Sequence, residues 1–125
     1  MGLDMHAYKT KAKLTKSVDF SFKDDDDDSM EIHYWRKHPN LHGWMEQLYY
    51  NKGGQSDSFN CVNVELNTDD LLDLKSAIES NELPHTSGFF FGETSGTERD
   101  DDLEFVETAL KSINEGYSVY YSSWW

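Results

Sequence analysis

Leu41, Trp44, Met45, Leu48 and Tyr49 fall at i, i+3, i+4, i+7 and i+8, the spacing of one continuous apolar face on an α-helix. A helix over about 40–51 follows, with Pro39 where a first turn tolerates proline and Gly53-Gly54 ending it. A second helix is predicted over about 69–80. Thr68 is its expected cap, and Asp69 and Asp70 suit the positive end of the helix dipole. Leu71, Leu74 and Ile78, flanked by Leu72, form its apolar stripe. A third helix over about 101–114 opens on acidic residues and closes at Gly116. Leu103, Val106, Ala109, Leu110 and Ile113 repeat along it at helical spacing.

Between the helices the period shortens to two. Over 18–22, Val18, Phe20 and Phe22 alternate with Asp19 and Ser21, and over 59–66 Cys61 and Asn63 lie opposite Val62, Val64 and Leu66. Residues 2–10, 88–93 and 117–124 read as further strands, the last two rich in aromatics. The expected fold is α+β. One domain spans 1–125, with a mixed or antiparallel sheet of about five strands and three helices packed on it. Asp24–Asp28 is expected to be a solvated acidic loop.

The length of 125 residues fits a single domain, and an aromatic content of 14% supplies a core of large rings. Cys61 is the only cysteine, so no internal disulfide can form, which points to a reducing compartment. The cytoplasm is the expected location. The opening residues lack the basic-then-apolar pattern of a signal peptide. Gly2 is followed by His6 where a myristoylation motif has Ser or Thr.

Charge changes the picture most. The formal net charge is -13, although residues 1–23 alone are basic through Lys9, Lys11, Lys13, Lys16 and Lys23. Such a chain is repelled by nucleic acids and anionic membranes, which excludes them as expected direct partners and favours a basic protein surface.

Several blocks carry a resemblance: Met1-Gly2-Leu3-Asp4-Met5, Tyr34-Trp35-Arg36-Lys37, Leu41-His42 with Trp44, Ser87-Gly88-Phe89-Phe90-Phe91-Gly92, and Tyr120-Tyr121 with Ser123-Trp124. In this order they resemble a family of short phage and prophage proteins of unknown function, some of which carry a phosphoglycerate kinase label. The chain has neither the length nor the phosphate-cradling glycine loop for that reaction. The resemblance implies a phage-encoded accessory protein and no reaction.

Candidate chemistry is sparse. His38 and His42 have the i, i+4 spacing of two zinc ligands on a helix, with His33 nearby and Asp4 or His85 as remote completions. No glutamate follows His38, and Pro39 disturbs its helical geometry, so structural histidines are expected and no metal or cofactor is assigned. Tyr34, Arg36, His42 and His85 are the polar groups expected to line a small-ligand pocket if one exists. Asp69, Asp70, Asp73 and Asp100–Asp102 are expected to form an acidic surface able to imitate a phosphate backbone, with Trp125 as an aromatic anchor. Three exposed-or-buried phenylalanines at 89–91 raise the same question of a partner.

The leading expectation is therefore a non-enzymatic phage protein that inhibits or redirects a host protein, such as a basic, nucleic-acid-handling defence complex of the CRISPR kind. A nucleotide-sequestering protein is the second reading. A metal-dependent hydrolase using His33, His38 or His42 is the third.

Overall fold

A computed structural model describes residues 3–11, 14, 16–20, 29–84 and 98–125. Strands β1 (Asp4–Thr10), β2 (Met30–Arg36), β3 (Asn63–Glu65) and β4 (Ser118–Trp124) form a sheet in the order β2-β1-β4-β3. Every pairing is antiparallel. Helices α1 (Pro39–Asn51), α2 (Thr68–Glu79) and α3 (Arg99–Asn114) complete an α+β domain.

The sheet has one apolar face and one mixed face, as alternating side chains dictate. Met5 and Ala7 of β1, Trp35 of β2, Val64 of β3 and Val119 and Tyr121 of β4 are buried. Leu41, Met45 and Tyr49 of α1, Leu71, Leu74 and Ile78 of α2, and Phe105, Val106 and Ala109 of α3 join them in one core. Each of these nine helical side chains is essentially removed from water, and burying one of the large aliphatic or phenyl side chains among them is worth about 1.5–3 kcal/mol.

Local chemistry explains the helix boundaries. Asn67, one residue before the expected Thr68, caps α2: its side chain accepts from the Asp70 backbone N–H, while the Asp70 carboxylate accepts from the Asn67 N–H. All three helices stop at a left-handed residue, Gly53, Asn81 or Gly116, conformations that glycine and asparagine adopt at low cost.

Among the described residues four strands stand in the sheet, where about five were expected. The 2–10 and 117–124 readings are met by β1 over Asp4–Thr10 and β4 over Ser118–Trp124, and 59–66 shortens to β3. The 18–22 reading reduces to a single bridge, Val18 to Val64, flanked by backbone bonds from Asp19 and Glu65. Residues 21–22, the 24–28 loop and the 88–93 strand lie outside the described residues. β2 takes a place the periodicity did not mark. The register slips between Ala7 and Tyr8, leaving Ile32 as an extra residue that breaks the alternation of β2.

Candidate functional site

Three polar regions are built on this frame. The first lies where β2 passes into α1. Lys37 turns left-handed, with its N–H bonded to the Leu3 carbonyl at 2.9 Å, and the chain enters α1 at once through His38 and Pro39. That turn presses His38 inward, where its Nε2–H donates to Asp102 Oδ2 at 2.7 Å. The other carboxylate oxygen accepts from Trp35 Nε1–H at 2.9 Å. His38 and Asp102 are each only 2% exposed, and the Trp35 ring stands edge-on to Phe105. A buried carboxylate with a donor on each oxygen is a satisfied clamp between β2, α1 and α3. At its rim His33 Nε2–H donates to Asp101 Oδ2 at 2.9 Å.

The second region is inside α1. His42 Nδ1 lies 2.7 Å from the hydroxyl of Tyr121. Burial pushes the imidazole down to about 4 and holds the Tyr121 phenol well above its ordinary range, so both are neutral near pH 7. The hydroxyl therefore donates to Nδ1. A further bond from Ser123 pulls the phenol partly back.

The third region is the sheet's outer face. Cross-strand register sets Arg36, Asp4 and Trp124 in one row, with Tyr34, His6 and Ser122 in the next. Tyr34 O–H donates to Asp4 Oδ1 at 2.6 Å, and Arg36 Nε lies 3.9 Å from the same oxygen. The bond to Asp4 is the main reason the Tyr34 phenol is raised above its usual value. His6 bonds to Glu31 and stands 5.1 Å from the Tyr34 ring, and Tyr8 reaches Tyr120 at 5.2 Å. Trp124 is 69% exposed and Tyr34 47%.

The residues singled out from the sequence are thus scattered. Tyr34 and Arg36 sit together on the outer face, His42 is buried behind the sheet, and His85 lies outside the described residues. Among the described residues no group of three or more His, Cys, Asp or Glu side chains is placed to hold a metal ion. Asp69, Asp73, Asp100 and Asp101 are exposed. Asp70 is committed to the α2 cap and to Lys52 Nζ at 2.5 Å. Asp102, expected on the acidic surface, is instead in the core, because it shares the helical face of Phe105, Val106 and Ala109. Trp125, expected as a partner anchor, is half-buried: its Nε1–H donates to the Phe59 carbonyl and its backbone N–H to Asn60 Oδ1. The freely presented indole is that of Trp124.

Sequence reasoning missed the Trp35–Asp102–His38 clamp and the aromatic outer face. The first had a signal in the helical spacing of Asp102, whereas the second depended on β2.

α2 and α3 pack side by side, with Lys75 Nζ 3.4 Å from Glu107 across them. They carry nine carboxylates against Lys75, Arg99 and Lys111. With Asp102 buried and Asp70 half-buried, seven carboxylates remain exposed on this layer. No described helix is long and apolar enough to cross a membrane. Comparison with family models, curated proteins and solved structures finds no match to this chain.

Proposed function

We propose that this chain is a non-enzymatic binding protein whose acidic α2–α3 layer engages a basic surface on another protein. The observation that carries this reading is the set of seven exposed carboxylates on two adjoining helices, opposed by few cations. Carboxylates held on rigid helices present a fixed array of negative charge at the spacing of side chains. A protein groove evolved for a phosphate backbone attracts such an array. The resemblance to short phage proteins gives the reading its setting: a phage-encoded inhibitor acting on a host nucleic-acid-handling complex of the defence kind.

The alternative of a nucleotide pocket needs Tyr34, Arg36, His42 and His85 to converge; His42 is on the opposite side of the sheet from Tyr34 and Arg36, and His85 lies outside the described residues. A hydrolase using His38 needs that side chain to reach substrate, and it is held by Asp102 at 2% exposure.

The test is affinity capture of host proteins by the tagged chain at low and high salt. It is repeated with a variant in which Asp69, Asp73, Asp100 and Glu104 are changed to their amides. A stoichiometric partner that weakens with salt and is lost from the folded variant is the expected result. A partner retained equally by the variant overturns the assignment to α2 and α3.

A further inference from the structure

The outer face of the sheet holds a second arrangement that the acidic helices do not explain. Antiparallel register puts Trp124 directly opposite Asp4, and neighbouring side chains across such a pair stand about 5 Å apart. Asp4 in turn faces Arg36, with Tyr34 in the next row of the same face, so the carboxylate that accepts from one aromatic residue has a second aromatic residue as its cross-strand neighbour. An indole 69% exposed and a phenol ring 47% exposed are large apolar surfaces to leave in water on the two strands that flank β1. The Tyr34 hydroxyl, by donating to Asp4 Oδ1, fixes both its own ring and the carboxylate. What results is a flat ring, an anchored acid and a second ring, set out in advance on a rigid sheet.

We infer that Asp4, Trp124 and Tyr34 form a receptor for an arginine side chain of a protein partner. Guanidinium is planar, stacks on aromatic faces and pairs with a carboxylate through parallel N–H bonds. Lysine offers a point charge with none of the flat surface. Charge complementarity selects the occupant: a chain of net charge -13 draws cationic segments and repels nucleic acid, whose bases would otherwise suit exposed rings. Arg36, 3.9 Å from Asp4 Oδ1 and largely exposed, already shows this pairing in weak form. An incoming guanidinium stacked on Trp124 takes the place of that long contact at the carboxylate. The strand β2 borders this face on one side and, through His33 and Asp101, the first turn of α3 on the other. The inference rests on the reading that the partner is basic and adds that arginine is what it presents to the sheet.

The experiment uses the full chain and a capped hexapeptide carrying two arginines, with its two-lysine counterpart as the control. Binding is followed through the indole N–H resonances at moderate salt. The arginine peptide is expected to shift the Trp124 resonance and to bind roughly fivefold more tightly than the lysine peptide, the scale of an exposed cation–π contact. Trp124→Ala, at an exposed position, should erase the preference, and Asp4→Asn should weaken both peptides. Tyr34→Phe keeps the ring but frees the carboxylate, and should reduce affinity without reversing the preference. Equal affinities for the two peptides, or a preference that survives Trp124→Ala, overturn the inference. So does an oligonucleotide that shifts the Trp124 resonance where the arginine peptide does not. These readouts do not depend on α2 or α3, so failure of either surface is seen separately.

Discussion

Replacing Asp102 by alanine should be among the most damaging single changes in the protein. Its carboxylate is 2% exposed and accepts from two buried donors, Trp35 Nε1–H at 2.9 Å and His38 Nε2–H at 2.7 Å. Removal leaves both donors in the core with no acceptor, and at about 1–3 kcal/mol for each unsatisfied buried donor the two together cost about 3–5 kcal/mol. The first-turn position adds a loss of helix-dipole stabilisation of about 0.3–1 kcal/mol, already within that range. With an unfolding entropy near 2 cal/mol/K per residue, a chain of this size loses roughly 4 °C of Tm per kcal/mol, so a fall of about 12–20 °C is expected.

Thermal and denaturant unfolding followed by circular dichroism measures it, with Asp100→Ala as the exposed control, expected within about 0.5 kcal/mol of the parent. Asp102→Asn keeps the shape and one acceptor for Trp35, and should cost about 1–3 kcal/mol. It remains measurable if the alanine variant does not fold. A double-mutant cycle with His38→Ala should show coupling above about 0.5 kcal/mol. The reasoning is refuted if Asp102→Ala and Asp100→Ala melt together.

Three further outcomes follow from the same structure. His42, pushed down to about 4 by burial, is neutral in the folded chain while an unfolded chain protonates it near 6.5. Its contribution is complete above about pH 6.5 and is lost as pH falls toward 4, on the order of 3 kcal/mol. His42→Gln should therefore flatten the stability–pH curve in that window, and an unchanged slope would show the imidazole is not held neutral. Gly54→Ala would place a Cβ 2.2 Å from Tyr49 Cε2, against a ring whose hydroxyl bonds to Asp19 and to the Ser56 N–H. A loss of about 1–3 kcal/mol is expected by thermal melting, and an unshifted Tm would mean the ring swings clear. Leu72 is half-exposed on α2, and Leu72→Ser should change unfolding free energy by no more than about 0.5 kcal/mol.

The helices were legible because each presents enough apolar residues at a 3.6 period to outweigh its charges. β4 was legible from its run of aromatics beyond Gly116, and β1 from Leu3, Met5 and Ala7 at a period of two. β2 was not, for a physical reason. Its inward positions include His33 and Trp35, its outward ones Tyr34 and Arg36, and the slip at Ile32 changes the alternation before Glu31 and Met30 are reached. No fixed period survives that. The outer face, which needs β2 beside β1, went with it.

The run Asp100-Asp101-Asp102 shows why composition could not locate the site. Three identical residues are equal contributors to net charge, yet each step along a helix turns the side chain by about 100°. Asp100 therefore faces water, Asp101 meets His33 at the rim, and Asp102 enters the core against Trp35 and His38. The proposed docking surface and the buried clamp are thus built from adjacent carboxylates. Neutralising all three together would release α3 from β2 by removing the Asp102 bonds to Trp35 and His38, and would say nothing about a docking surface. Only the exposed members of the run, with Asp102 left intact, separate an acidic surface that recognises a partner from an acidic residue that holds the fold.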